Sequence, residues 1–178
     1  VLLSPLLLWG CGRKETRSLP EARKGFSTKL AKRVVANEPV ANPPAGVFEL
    51  VNYPTQKGSF PAYLTPDPRD GKKHPAIIWI TGGDCNTIGE VWDAAEPGND
   101  QTAGQFRKAG VVMLFPSLRG GNENPGPQES FLGEVDDVLA AADFLAKQPY
   151  VDPQRIYLGG HSTGGTLVLL LAEFSPRF

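Results

Sequence analysis

The hydrophobic positions of this chain form continuous runs and alternating segments, and the two patterns predict different kinds of strand. The continuous runs "PAIIWI", "VVMLFP" and "RIYLGG" are typical of strands that are buried on both faces of a parallel sheet. The earlier segments "VFELVNYP" and "FPAYLTP" alternate apolar and polar residues and end at prolines. They predict a short antiparallel pair at the edge of the sheet.

Three further segments have the features of helices. Asp100 is a predicted helix start, and Gly110 is the predicted stop of the same helix. Residues 133–149 place acids in a first turn and apolar side chains on one face, and residues 163–174 are apolar almost all round. The predicted apolar face consists of Val135, Val138, Leu139, Ala142 and Leu145. Strands that alternate with such helices predict the α/β class, with a mostly parallel sheet and helices on both faces.

Composition divides the chain into three parts. Residues 1–11 are an apolar run of the length of a signal-peptide core, too short to span a bilayer. Residues 12–46 are basic at first and then rich in proline, which predicts a linker. Residues 47–178 contain all the strand and helix patterns and are the predicted folded domain.

The end of the first part resembles a bacterial lipoprotein signal. "LWGC" places Cys11 where such proteins carry the lipid, which predicts a protein of the bacterial cell envelope, lipid-anchored or secreted. Basic residues after Cys11 would then lie near anionic headgroups of the membrane. The alternatives are a truncated secretory signal and a buried N-terminal segment.

Charge and cysteine content argue against several classes of function. The formal net charge is -1, which gives no reason to expect a nucleic-acid partner. The two cysteines, Cys11 and Cys85, do not have metal-ligand spacing, and a lipid on Cys11 would leave Cys85 without a disulfide partner. The sequence therefore predicts no metal site, no organic cofactor and no structural disulfide, and it predicts an ordinary half-buried thiol at Cys85.

A serine lies between two glycines directly after the last apolar run. "GHSTG", Gly160 to Gly164, fits the pattern G-x-S-x-G and connects a predicted strand to a predicted helix. A serine hydroxyl becomes a nucleophile only when a base removes its proton, and a sharp turn exposes the hydroxyl to such a base. Side chains at Gly160 and Gly164 would collide in this turn, and Gly165 is expected to allow close packing of the helix. The pattern predicts Ser162 as a nucleophile, whereas the alternatives are a packing turn and a phosphate site.

Two loops are predicted to stabilise an oxyanion beside this serine. The backbone N–H of Thr163 begins the helix after Ser162 and points to the place where a tetrahedral oxyanion would form. "TGGD" follows an earlier buried strand, and the backbone N–H groups of Gly83 and Asp84 are candidates for the second donor.

Together these motifs resemble the α/β-hydrolase fold and, within it, the catalytic domain of the prolyl oligopeptidase group of serine peptidases. The resemblance rests on "PAIIWITGGD", "FPSLRGG" and "FLGEVDDVLAAADFLAKQPYVDPQRIYLGGHSTGG" in this order, over roughly residues 47–178. It implies that the "LRGG" loop lies beside the substrate entrance, where Arg119 could contact a substrate carboxylate or carbonyl. The alternative role for Arg119 is a salt bridge that stabilises the loop. His161 departs from the group, which commonly has serine or asparagine just before the nucleophile. Histidine at this position is common in esterases and lipases.

The other members of a catalytic triad are not found in this sequence. The order in this fold is serine, then an acid, then histidine, but after Ser162 the sequence has one acid, Glu173, and no histidine. His161 is adjacent to the nucleophile, and His74 is predicted at the far end of the strand that leads to the oxyanion loop. We therefore expect the N-terminal half of a longer hydrolase, inactive by itself and with an incomplete sheet.

Three hypotheses for function follow. The first is a serine peptidase of the prolyl oligopeptidase group that forms an acyl-enzyme on Ser162, and the second is a carboxylic ester hydrolase of the same fold. Both would act on a peptide or ester substrate. The third is a catalytically inactive envelope binding protein on a hydrolase scaffold, which the missing acid and base would explain.

Overall fold

The computed structural model describes residues 18–178 except residues 94, 95, 97 and 99. The predicted signal segment and its lipidation site, Cys11, lie outside the described residues. The strands are β1 (Glu49–Thr55), β2 (Gly58–Leu64), β3 (His74–Ile80), β4 (Val112–Pro116) and β5 (Val151–Gly160). The helices are α1 (Leu19–Arg23), α2 (Gly104–Lys108), α3 (Glu134–Leu145) and α4 (Thr163–Phe174). None of the helices in this described part is long and apolar enough to cross a membrane.

The strands form one sheet in the order β1-β2-β4-β3-β5. β1 and β2 are antiparallel neighbours at one edge, as the alternating segments predict. β3 lies between β4 and β5 and is parallel to both. The predicted α/β class is confirmed, but the sheet is mixed because β2 also pairs with β4 in the antiparallel sense.

Each face of the sheet has its own hydrophobic core, because successive side chains of a strand point to opposite faces. On one face, Ile78 of β3 packs with residues of α3 and α4. On the other face, Ile77 belongs to a second buried cluster, against which the partly buried side chain of Trp79 packs. The ring of Phe106 in α2 lies 5.9 Å from that of Trp79, centroid to centroid. Helices therefore cover both faces, as predicted.

β5 is more exposed than its apolar sequence predicts. It is the outermost strand of the sheet that the described residues form, and α4 packs against it. Tyr157 in its centre is 54% exposed. The prediction of a strand buried on both faces is therefore wrong for β5 within the described part of the chain.

The helices agree with the sequence except in the burial of two acids of α3 and in the start of α2. In α3, the predicted apolar face is fully buried apart from Leu139, which is half-buried. The acids Glu134 and Asp137, which the pattern assigns to a first turn, are also fully buried. α2 begins at Gly104 and not at Asp100, because the Asp100 carboxylate accepts the N–H of Thr102 at 2.9 Å and forms a turn before the helix.

The described part of the segment predicted as a linker, residues 18–46, lies along the surface of the domain. Most of its backbone is irregular, as its prolines indicate. Arg23 of α1 donates to the carbonyl of Leu132 at 2.7 Å and forms an ion pair with Asp136 at 3.0 Å. Farther along, the N–H of Ala36 donates to the carbonyl of Gly120 at 2.7 Å. Its backbone and side chains are thus attached to the domain.

Candidate active site

Ser162 occupies the sharp turn between β5 and α4. Its backbone has φ 53° and ψ -119°, a combination that is strained for a residue with a side chain. The serine is the N-cap of α4, but its side chain makes no capping hydrogen bond, although serine at this position usually accepts one. The side chain is exposed. The turn therefore presents a hydroxyl that is not used to stabilise the helix.

The glycines on either side of Ser162 are required by close backbone contacts. A Cβ on Gly160 would lie 2.6 Å from the carbonyl carbon of Gly164. A Cβ on Gly164 would collide with the carbonyl oxygen of Ile80 and lie 2.6 Å from that of Thr81. A Cβ on Gly165 would make only an ordinary contact, at 3.6 Å. The suggestion that Gly165 permits close helix packing is therefore wrong, and Gly164 has that role.

These two adjacent glycines are expected to respond to alanine in opposite directions. Gly164→Ala should lower the free energy of unfolding by about 2–3 kcal/mol, because the new methyl group meets backbone carbonyls at the end of β3, which cannot easily move. Gly165→Ala should raise it by roughly 0.5–1 kcal/mol, because alanine favours a helix. Urea unfolding of both variants measures the difference. Equal effects of the two substitutions would contradict the close approach of α4 to β3.

The ends of β3 and β5 bring the predicted oxyanion loop to the serine. Ile80 pairs with Gly160, and the N–H of His161 donates to the carbonyl of Ile80 at 3.1 Å. The hydroxyl of Thr163 donates to the carbonyl of Gly83 at 2.8 Å and ties the loop to the first residue of α4. The residues predicted as oxyanion donors are therefore neighbours in space.

Three backbone N–H groups at this junction have no hydrogen-bond acceptor among the described residues, and an oxyanion hole requires such donors. The first N–H groups of a helix have no partner within that helix, and Thr163 is the first residue of α4. Among the described residues, the backbone N–H groups of Thr163, Gly83 and Asp84 also find no acceptor elsewhere. Donors in this state can bind a developing negative charge without first breaking another bond.

The carboxylate of Asp84 holds the oxyanion loop in a tight turn. Its Oδ1 accepts the backbone N–H groups of Asn86 at 3.1 Å and Thr87 at 3.0 Å. Its Oδ2 accepts the hydroxyl of Thr87 at 2.7 Å and the side-chain amide of Gln128 at 3.0 Å. The shape of the loop therefore depends on a side chain from another segment of the chain.

Sequence reasoning missed the buried polar residues behind this loop. The side-chain amide of Asn86, which is 2% exposed, donates to the carbonyl of Arg119 at 2.6 Å and to Glu134 at 2.9 Å. The other carboxylate oxygen of Glu134 is buried and has no partner among the described residues. A polar residue after "TGGDC" and an acid in a helical first turn are unremarkable by themselves, and their contact appears only in three dimensions.

Arg119 lies inside the protein and forms an ion pair there. It is 4% exposed, and its Nε and Nη2 donate to the two carboxylate oxygens of Asp137 at 2.8 and 2.9 Å. Its Nη1 donates to Glu129 at 2.6 Å. Burial alone would lower the pKa of Arg119, but the bonds and charges of Asp137 and Glu129 raise it above the usual value. Of the two roles that the sequence leaves open, this geometry fits the loop-stabilising salt bridge, and the contact with a substrate stays a prediction.

Neither histidine of the described chain is placed to activate Ser162. His74 pairs with Val151, at the opposite end of the sheet from the serine, and its Nε2 lies 3.0 Å from Asp70. His161 precedes the serine, and its Nδ1 is buried without a partner among the described residues. A Cβ on Gly82 would lie 3.1 Å from that nitrogen, so the imidazole packs on the glycine of the oxyanion loop.

Cys85 lies at the base of the same loop as a free, buried thiol. The sequence predicts a half-buried thiol, but the residue is 3% exposed. Burial, with the charges of Glu134 and Asp84, raises its pKa from 9.0 to about 12. Cys85 also lines a cavity of about 140 Å³ between the oxyanion loop, Gln128 and Phe131. No group of three His, Cys, Asp or Glu side chains in the described part of the chain could hold a metal ion.

This fold and this turn define the class of protein. A serine on a strained strand-to-helix turn, with backbone donors from a loop after a neighbouring strand, is the arrangement of the α/β hydrolases. Solved structures agree: an esterase from Pyrobaculum calidifontis is 25% identical with a TM-score of 0.52, over 74% of this chain and 40% of that chain. A puromycin-hydrolyzing peptidase of Mycobacterium tuberculosis shares the fold, with a TM-score of 0.59, 20% identity and coverage of 75% and 22%.

Within that class, the chain matches the model of the prolyl oligopeptidase family over residues 99–178. The matched residues include α3, β5, α4 and the serine turn. Dipeptidyl-peptidase 5 of Porphyromonas gingivalis is 30% identical over 118 residues, which are 61% of this chain and 16% of that protein. The resemblance to this family that the sequence motifs predict is confirmed. The chain spans about a sixth of the length of that relative.

Proposed function

We propose that the full-length protein is a serine hydrolase that forms an acyl-enzyme on Ser162, and that it is a peptidase of the prolyl oligopeptidase group. The observation that carries the proposal is the exposed serine with φ 53°, whose hydroxyl makes no capping bond. Structural serines at helix starts use their side chain as a cap. A strained, unbonded serine beside unpaired backbone donors is instead suited to attack a carbonyl carbon.

The chain's own groups account for part of the reaction. The Ser162 oxygen attacks the substrate carbonyl, and the electron pair of the C=O bond moves to its oxygen. Backbone N–H groups of Thr163 and of Gly83 or Asp84 donate to that oxyanion, and each such donor contributes roughly 3–4 kcal/mol to the barrier reduction. Collapse of the intermediate expels the amine or alcohol and leaves the acyl group on Ser162, from which water then releases it.

The proton of Ser162 must pass to a base, which then gives it to the departing amine or alkoxide. His74 and His161 do not supply this base in their positions here. We therefore propose that the base and its orienting acid come from parts of the full-length protein outside these 178 residues. The 178-residue chain alone would then show negligible hydrolysis, since an oxyanion hole without its base accelerates the reaction only weakly.

Ester hydrolysis by the same site is the second candidate. It is supported by the 25% identical esterase of Pyrobaculum calidifontis and by the histidine before the serine. Peptide hydrolysis is supported by the family match and by the dipeptidyl-peptidase of Porphyromonas gingivalis. The two activities use the same nucleophile and oxyanion donors, so they differ in the leaving group that the site accepts.

Parallel assays of the full-length protein with peptide anilides and with short acyl esters distinguish the candidates. A peptidase should cleave both, because esters have the better leaving group. Turnover of esters with no cleavage of any anilide would support the esterase hypothesis and reject the peptidase hypothesis. Turnover of neither substrate class by a folded protein would favour the catalytically inactive binding protein.

A further inference from the structure

Gln128 lies where three separate segments of the chain meet. Its backbone N–H donates to the carbonyl of Val34 at 3.0 Å. Its side-chain amide donates to Asp84 at 3.0 Å and approaches the carbonyl of Gly120 at 3.4 Å. A Cβ on Gly120 would lie 2.6 Å from the backbone nitrogen of Gln128, so the two residues are tightly fitted. The position of this glutamine is therefore set by the backbone around it.

The first of these segments is an N-terminal strap, which we define as residues 34–36. The strap runs beside the loop of residues 120–128 and makes backbone hydrogen bonds at both ends of that loop. Ala36 donates to Gly120 at 2.7 Å and accepts from Glu123 at 3.1 Å. Val34 accepts from Gln128. The strap thus fixes the loop that carries the glutamine.

The side-chain amide of Gln128 reaches the oxyanion loop through a carboxylate that shapes it. Asp84 folds that loop by accepting the N–H groups of Asn86 and Thr87, and its own backbone N–H is a candidate oxyanion donor. Within the part of the chain that the structure describes, Gln128 is the residue outside this loop whose side chain donates to Asp84. Loss of this contact would leave the Asp84 carboxylate held by bonds from its own loop, so the loop and its donor N–H would no longer be tied to Gln128.

We propose that Gln128 is a positioning residue for the oxyanion loop, and that the N-terminal strap holds it in place. The proposal rests on the proposed function of Ser162. Gln128 does not contact the reacting atoms, and it acts through the carboxylate of Asp84. An oxyanion donor stabilises the transition state more than the bound substrate, so a misplaced donor lowers kcat and leaves KM nearly unchanged.

Two variants of the full-length protein test this role, each compared with wild type at several pH values. Gln128→Leu removes the amide donor and should lower kcat about tenfold at every pH, with KM within about twofold, since loss of a whole donor costs 10²–10³-fold. Gln128→Glu places a carboxylate against that of Asp84. The like charge raises the pKa of the new carboxyl, which can donate to Asp84 only when protonated. The ratio of variant to wild-type kcat should therefore rise as the pH falls.

The matched control is Gln154→Glu, which adds the same charge to an exposed residue near the start of β5, at the far end of the sheet. Its kcat ratio to wild type should stay near one at all pH values. A fluorophosphonate probe shows separately whether Ser162 of the wild type is activated. If the probe labels Ser162 and the wild type turns over substrate, but both Gln128 variants keep the wild-type kcat at every pH, the positioning role is refuted and the proposed hydrolase function stands. If the folded wild-type protein is not labelled by the probe and turns over no substrate, the proposed hydrolase function and the positioning role are both refuted.

Discussion

Replacement of Ser162 by alanine in the full-length protein is expected to lower kcat by about 10⁴–10⁶-fold, because it removes the atom that forms the acyl-enzyme. KM should change little, since the oxyanion donors and the substrate contacts remain. The substitution keeps the Cβ atom at φ 53°, so the backbone strain and the free energy of unfolding should also be unchanged. Steady-state kinetics and urea unfolding of the same preparation measure both quantities.

Ser162→Gly provides the matched control for stability. Glycine tolerates a positive φ, so this variant should be equally inactive and yet more stable than wild type by roughly 1 kcal/mol. An inactive protein with raised stability would show that the strain at this turn serves the reaction and not the fold. Retention of more than a hundredth of the wild-type kcat in Ser162→Ala would mean that another group is the nucleophile.

Replacement of Arg119 by methionine should cause the largest loss of stability among single substitutions at this site. Methionine retains much of the apolar stem but leaves the carboxylate of Asp137, whose side chain is 2% exposed, without its bidentate partner. Removing one partner of a buried ion pair typically lowers the free energy of unfolding by about 3–5 kcal/mol. The loss should become smaller in acid, where Asp137 can take up a proton and no longer carries an unpaired charge.

Arg155→Met is the control, because Arg155 pairs with Asp152 at the surface, where its side chain is 47% exposed. Surface pairs of this kind contribute little. Urea unfolding followed by tryptophan fluorescence compares the two variants. If both variants shifted the midpoint equally, the buried ion pair would not be a main support of the loop after β4.

The elements that the sequence predicts well are those specified by neighbouring residues. The glycines around Ser162, the apolar run before them and the helix after them are contiguous, so one short stretch of sequence contains the whole turn. The two alternating segments before residue 65 likewise follow one another along the chain and pair with each other. They form β1 and β2, the predicted antiparallel edge. Local patterns of spacing and turn chemistry are enough in such cases.

The features that the sequence does not reveal depend on contacts between distant residues. Asn86 and Glu134 are 48 positions apart, and their bond requires the oxyanion loop and α3 to meet. The strap at Val34 looks like linker because its hydrogen bonds are with a loop that begins far along the chain. Asp100 has the chemistry of a helix start, but its carboxylate bonds to Thr102 in a turn instead. Helix-capping propensity therefore identifies a suitable residue type in Asp100, but the helix does not begin there.

Labelling with a fluorophosphonate tests the central claim most directly, because this reagent reacts with a serine only when the serine is activated. The full-length protein would be treated with the probe, digested and analysed by mass spectrometry, with Ser162→Ala treated in parallel. The account predicts one modified residue, Ser162, and no labelling of the alanine variant. Absence of labelling in a well-folded full-length protein, or labelling that persists in Ser162→Ala, would contradict it.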